Sequence, residues 1–449
     1  MLIDISGSIV ANRVGNCGGV AVADLDGDGR VSVVVAGFGV ANRVLKWSGH
    51  ALRETAPPFL ADVDRKSTGL AAADFDGDGR EEIYVLSAEA GTDRLFDQLP
   101  DGEWVDLFSR SENVAVRNGG TGRSACGIDR RGNGRYSFIV ANSGRPLRLY
   151  ELAPDGAIAD LAPALGVNLT SLGRSLLVAP LASSRPDIFC ANESGPNFLF
   201  RNTGMGTFLE VAAEHRLADF EEHGRGSTVL DADDDGRFDI CYGNADGPHR
   251  LMLRQPDGTF KNVATLAMAL PSAIRTVIAA DFDNDGYEEL FFNNLGEPNR
   301  LFRQTHDGWM HADIGAATEY DDHGTGATIA DFDGDGRLEL LIAHGDAKPL
   351  TLYRGPENDN HWVRVRPLTR FGAPARGAVV KLIANGRAQV RVICGGSGYM
   401  CQMEPIAHFG LGTATIIDSV TVTWPDGSSI TILKPTIRQV LIAKYPGSG

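Results

Sequence analysis

The chain has 449 residues, 43% hydrophobic and 22% charged, with a formal net charge of −16. That composition supports a buried core and excludes a disordered chain, and the acidic excess excludes a general binder of nucleic acid or anionic membrane. Glycine is abundant at 54 residues without a Gly-X-Y period, so tight turns account for it and a collagen-like helix does not. No apolar run approaches the ~18 residues that a membrane span needs. The opening MLIDISGSIVANRV has no basic stretch followed by an apolar one, so the chain as given reads as cytoplasmic, or as secreted or periplasmic if a leader precedes it. The cysteines (Cys17, Cys126, Cys190, Cys241, Cys394 and Cys401) form no CxxC motif, and most are expected to be free and buried.

In chain order, one acidic loop recurs: DLDGDGRVS at Asp24, DFDGDGREE at Asp74, a worn DRRGNGRYS at Asp129, a very worn PLASSRPD at Pro180, then DADDDGRFD at Asp231, DFDNDGYEE at Asp281 and DFDGDGRLE at Asp331. The spacings are 50 to 55 residues, the signature of a repeat architecture. Around each loop lie four short runs of strand character: a small and β-branched run before it, as in TGATIA, then LELLIAHG, then NFLFRN or NRLFRQ, then TFLEVA or TFKNVA. Four strands per repeat and seven repeats predict an all-β, seven-bladed β-propeller over 1–357. The opening LIDIS resembles the fourth-strand runs FLEVA and FKNVA, so Leu2–Ser6 is expected to serve as the outer strand of blade seven and close the ring. Residues 358–449 read as a small β-rich domain, with alternating runs VTVTW and ITIL and hairpin turns at Asn385-Gly386 and Asp426-Gly427.

The loops follow D-x-D-x-D-G-x-x-[DE]. Carboxylates at positions 1, 3, 5 and 9 of a tight loop converge on one centre, and hard oxygens with no imidazole or thiolate suit Ca²⁺. Four sets are complete: Asp74/Asp76/Asp78/Glu82, Asp231/Asp233/Asp235/Asp239, Asp281/Asp283/Asp285/Glu289 and Asp331/Asp333/Asp335/Glu339. Asp24/Asp26/Asp28 lacks the last acid, which is Ser32, and is expected to be weaker. Blade three has Arg131 and Ser137 at ligand positions and blade four carries none of the acids, so neither is expected to hold metal. About four to five Ca²⁺ per chain are expected, pinning the turn between the first and second strand of each blade.

These repeats resemble the FG-GAP/VCBS family of integrin-α-like calcium-binding propellers. HWVRVRP, GAVVKL, GGSGYMCQ, HFGLG and VTVTWPDG, in that order, are similar to the ASPIC/UnbV domain that follows such propellers in the cartilage acidic protein family and its bacterial relatives. Cys394 and Cys401 depart from that pattern. The resemblance implies calcium binding and, for many members, extracellular or periplasmic residence, but no one activity.

Six residues before the first loop position stand Gly18, Thr68, Arg123, Arg174, Arg225, Arg275 and Thr325. Four consecutive blades therefore carry arginine at the start of the innermost strand, at the mouth expected opposite the acidic loops. Neighbouring loops hold Asp64, Lys66, Glu221, Glu222, His223, Asp321, Asp322 and His323. A half-ring of guanidiniums suits a carboxylate, sulfate or phosphate, with His223 or His323 as a general acid or base. Two functions follow: a calcium-stabilised binding or scaffold module for a protein or small anionic partner, or an enzyme of the bacterial natural-product type, performing bond-forming or cyclising chemistry on an anionic small molecule at that mouth. If carboxylates rather than an anion answer the arginines, Glu221, Glu222, Asp321 and Asp322 are the candidates.

Overall fold

The computed structural model describes residues 1–447 except Asp64, Asp307 and Asp346, so the expectation for Asp64 lies outside the described residues. Seven four-stranded antiparallel units follow one another around a ring. Their innermost strands are Cys17–Ala23, Ser67–Ala73, Gly122–Ile128, Thr170–Ala179, Gly224–Leu230, Ile274–Ala280 and Gly324–Ala330. Blades three and four are further joined where Ser137–Pro146 and Thr170–Ala179 pair beyond their own blades. In blade seven the outermost strand is Ile3–Asp4, antiparallel to Thr351–Arg354, with Ile3 opposite Arg354. Each core lies between adjacent blades. Leu177, Phe189 and Leu199 of blade four, for example, pack with Phe238, Ile240 and Tyr242 of blade five. Among the described residues no helix is long and apolar enough to cross a membrane.

The tail forms two sheets. One orders Arg387–Val392, Val379–Ala384, Ile417–Thr423 and Ser429–Leu433, and the other places His361–Pro367 between Ala407–Gly412 and a parallel Val440–Ala443. Asn385-Gly386 makes the two-residue hairpin that its sequence predicts, with φ of 50° and 76°. Asp426-Gly427 sits instead in a wider loop closed by a Trp424 N–H to Ser428 carbonyl bond of 2.9 Å. Val363, Val380, Leu382, Phe409, Val420 and Trp424 fill the core of the tail.

The tail docks on the face that carries the acidic loops, and it docks through arginines. Arg376 is fully buried. Its Nε donates to Glu81 Oε1 at 2.6 Å and its Nη2 to the Val22 carbonyl at 3.0 Å, while Glu81 Oε2 accepts the Asp24 N–H at 3.1 Å. One ion pair thus ties the tail to blades one and two. Arg391 pairs with Glu288 at 3.2 Å, Arg387 with Asp234 at 2.9 Å, and Arg185 of blade four donates to the Pro425 carbonyl at 2.7 Å.

A buried pair that loses one partner leaves an uncompensated charge, at a cost of about 3–5 kcal/mol. Arg376→Met is therefore expected to destabilise the protein by that order in urea unfolding. The double variant Arg376→Met/Glu81→Leu should lose clearly less than the single one.

Candidate functional site

The acidic loops owe their shape to two residues with left-handed backbone. Position six is glycine in six blades, with φ between 79° and 98° at Gly29, Gly79, Gly134, Gly236, Gly286 and Gly336. Position four is glycine in blades one, two, three and seven, but Asp234 (φ 58°) and Asn284 (φ 59°) in blades five and six, the residue types that best tolerate that region. This winding turns backbone N–H groups inward onto the first aspartate. Asp281 Oδ1 accepts from Asp285 N at 3.1 Å and its Oδ2 from Gly286 N at 2.8 Å; Asp331 accepts from Gly334 N at 2.8 Å and Gly336 N at 3.0 Å. The ninth-position acid begins the second strand and accepts the N–H of position two: Glu289 from Phe282 at 2.9 Å, Glu339 from Phe332 at 2.8 Å and Asp239 from Ala232 at 2.8 Å.

Three carboxylates in one small volume disfavour their own ionisation. The ligand atoms of Asp74, Asp76 and Asp78 lie within 4.8 Å of one another, as do those of Asp231, Asp233 and Asp239. Burial, reinforced by the neighbouring aspartates, pushes Asp74 up to about 7, Asp231 to about 6, Asp239 to about 7 and Asp281 to about 8. Glu82, Glu289 and Glu339 are raised well above the ordinary range for the same two reasons. Such a set of hard oxygens fits a divalent cation.

Contrary to the sequence expectation, blade four is not devoid of loop acids, because Asp187 opens its second strand opposite Ala179, the place that Asp239 takes opposite Leu230. A loop shorter by one residue hides the match in the sequence. Asp187 Oδ2 is filled by the N–H groups of Leu181, Ala182 and Ser183 at 2.7–3.0 Å, so backbone donors do there what a cation would do elsewhere.

At the ring axis the structure holds an element that the sequence reading did not foresee. The tail segment 393–406 descends into the channel, turns at Tyr399 and Met400, and returns. Residues 395–402 are all buried. The segment meets every blade. Gln402 N donates to Val20 O at 2.9 Å and Gln402 O accepts from Val22 N at 3.2 Å (blade one); the Gln402 side chain exchanges hydrogen bonds with the Ala72 backbone at 2.7 and 3.0 Å (blade two). Gly127 N donates to Gly395 O at 3.2 Å, Ser175 Oγ to Gly398 O at 2.7 Å and Gly398 N to Ser227 O at 2.6 Å (blades three, four and five). Thr276 Oγ1 lies 3.7 Å from Cys401 Sγ, and Thr328 Oγ1 donates to Gln402 O at 3.0 Å (blades six and seven). There is no room for more: a Cβ on Gly19 would stand 1.9 Å from the Met400 carbonyl oxygen and one on Gly396 would stand 2.1 Å from Cys126 Sγ. A signal existed. The residue after each mouth position is small in every blade: Gly19, Gly69, Ser124, Ser175, Gly226, Thr276 and Gly326.

The arginines gather around the tip of this segment. The guanidiniums of Arg174 and Arg275 lie 6.0 and 5.6 Å from the centre of the Tyr399 ring, and Arg174 Nη1 donates to Tyr399 Oη at 3.3 Å. The carboxylate that answers them is Glu193, rather than Glu221, Glu222, Asp321 or Asp322. Glu193 accepts from Arg174 Nε at 2.7 Å and pairs with Arg225 Nη2 at 2.5 Å. It follows Asn192, which pairs with Gly173 beside Arg174, and this cross-strand neighbour outcompetes acids on other turns. Glu222 pairs with Arg250 at 2.8 Å, and Asp322 pairs with Lys348. Among the described residues Arg123 and Arg275 have no acidic partner within salt-bridge range, and the Nε atoms of Arg123 and Arg225 are buried without a hydrogen bond. Burial and the charges of Arg123 and Arg225 hold Arg174 below its usual value, against the opposing pull of Tyr399. His223 turns to Asp246 at 2.6 Å, and His323 lies on the turn bridged to Leu295.

Residues 369–449 match the family described as ASPIC and UnbV, and residues 24–85, 183–242, 231–292 and 283–342 match the FG-GAP-like repeat. The chain is 44% identical to cartilage acidic protein 1 of Xenopus tropicalis, over 95% of this chain and 73% of that protein. It is 43% identical to the proteins of that name from Mus musculus and Homo sapiens, over 95% of this chain and 74% and 72% of theirs.

A carboxyl group whose value is raised on folding favours the folded state below its ordinary value and stops doing so as pH climbs through the raised one. In chelator, the melting temperature is therefore expected to fall between pH 5 and pH 8, as the groups raised to about 6, 7 and 8 ionise against one another. Thermal unfolding at a series of pH values, with and without calcium, checks this: calcium should flatten the decline.

Proposed function

Because the chain belongs to the cartilage acidic protein 1 family, a β-propeller scaffold with FG-GAP-like repeats and an ASPIC and UnbV domain, we propose that it is a calcium-braced binding module whose arginine mouth receives an anionic group of its partner. The observation that carries the binding half is the imbalance at the mouth. Among the described residues one carboxylate, Glu193, serves Arg174 and Arg225, and Arg123 and Arg275 have none. Guanidiniums held together without matching acids favour a carboxylate, sulfate or phosphate from outside. The calcium half is supported by the donor chemistry of the loops: oxygen ligands only, crowded together, with the first and ninth acids buried and with the raised carboxyls that a divalent cation would relieve.

The segment through the channel bears on the choice between binding and catalysis. An enzyme at this mouth needs a cavity that encloses a substrate and excludes water. Tyr399, 6% exposed, and its neighbours fill that space. What remains at the arginines is a rim, which suits a group presented by a partner. The two histidines that an acid–base mechanism would recruit are engaged on turns, one of them with Asp246.

Two outcomes are expected. Calcium that binds the native state alone stabilises it by about 2.7 kcal/mol per site at a hundredfold excess over Kd, so chelation should lower the melting temperature, and Asp233→Ala should remove one bound ion. An unchanged melting curve in a chelated sample shown by metal analysis to be calcium-free would end the bracing role. Arg275→Ala, which breaks no ion pair, should weaken sulfate binding measured by calorimetry and leave the melting temperature nearly unchanged. Equal sulfate binding by the variant and the parent would remove the anion reading.

A further inference from the structure

Resting on the calcium reading above, we infer that only the loops of blades two, five and six hold a divalent cation, and that protein cations have taken over the loops of blades one and seven. The deciding position lies on the third strand of each blade, opposite the ninth loop position. In blade one it is Lys46, paired with Ser32 across the strands. Its Nζ lies 2.7 Å from Asp26 Oδ2 and 2.9 Å from Asp28 Oδ2, and the side chain is 14% exposed. Arg366 of the tail pairs with Asp24, the third acid of that loop. In blade seven the position is Arg354, opposite Glu339. Its Nε pairs with Glu339 at 2.9 Å, its Nη2 pairs with Asp333, and its Nη1 lies 3.8 Å from Asp335. Arg364 of the tail takes Asp331 at 3.0 Å, with both side chains almost fully buried. Every acid that a metal would need in these two loops already faces a protein cation. A divalent ion would have to displace these cations, and among the described residues only Arg364 pairs with an acid outside the two loops, Glu404.

The other three loops differ at the same position. In blade two, the residue after Phe96, which pairs with Ile83, is Asp97. Its carboxylate comes within 4.8 Å of those of Asp76 and Glu82, so it adds a fifth acid to the loop. Blade five has Leu253 there, one residue past the Ile240–Met252 pair; among the described residues Asp235 alone of the four ligand acids is paired, with Arg237 on the solvent side, while Arg387 takes Asp234, which lies outside the ligand positions. Blade six has Arg303, which is exposed; among the described residues no salt bridge reaches Asp281, Asp283, Asp285 or Glu289. The sequence motif therefore overstates the metal content. Blade seven has the full D-x-D-x-D-G-x-x-E pattern and an internal cation nonetheless. The exchange also has a location: Arg364 and Arg366 lie on one tail strand, His361–Pro367, over the two blades that meet where the ring closes.

The test is the calcium content of the full chain equilibrated with excess calcium and freed of unbound ion, read by native mass spectrometry. Three ions per chain are expected, and any other count overturns the inference. Asp76→Asn, Asp233→Asn and Asp283→Asn should each lower the count by one, whereas Asp26→Asn and Asp333→Asn should leave it unchanged. Loss of an ion from either of the last two would overturn the assignment while leaving the calcium reading intact. A count of zero would overturn both. The count on the unaltered chain decides the matter even where a variant does not fold.

Discussion

The first strand of every blade is an edge facing the axis, and its backbone groups must be satisfied by something. A ring of seven blades has seven such edges around one channel. Water can serve them, but here the tail does, through a single segment of small and adaptable residues, GGSGYMCQ. The consequences spread outward. The inner strands must stay small where the segment passes, the tail must sit on the face from which it enters, and the opposite mouth receives Tyr399 among the arginines. Propeller and tail therefore share one core, and Cys401 packs with Cys17, Val20 and Leu341 of the first and last blades.

The second constraint is electrostatic. Docking the tail on the loop face buries carboxylates that water would otherwise solvate, and each must meet a positive charge or a set of N–H donors. The chain uses both. Blade four has Asp187 capped by backbone N–H groups, and blade three has Asp129 held by the N–H groups of Asn133 and Gly134 at 2.9 and 2.7 Å. Arginines of the tail answer Glu81, Asp24, Asp331 and Glu288. The same side chains that neutralise the loops thereby fix the tail's orientation, since each guanidinium fits its acid in one geometry. Arginine in place of lysine matters here, because a forked donor can hold a carboxylate and a backbone carbonyl at once, as Arg376 does with Glu81 and Val22.

Sequence alone determined what depends on local chemistry and on repetition. The loop spacing, the four strands around each loop, the left-handed positions at glycine, the short outer strand Ile3–Asp4 within the expected Leu2–Ser6 and the hairpin at Asn385-Gly386 are each written in a few adjacent residues, because turn geometry and strand alternation are short-range properties. The shared register of Arg123, Arg174, Arg225 and Arg275 was legible for the same reason. Only the tertiary structure decided what answers those side chains. Glu193, Lys46, Arg354 and Asp97 reach their partners across strands, and Tyr399 does so from more than a hundred residues away, so no spacing rule marks them. A charge is indifferent to the sequence position of its neighbour; it responds to distance and burial, which exist only once the ring has closed and the tail has entered it.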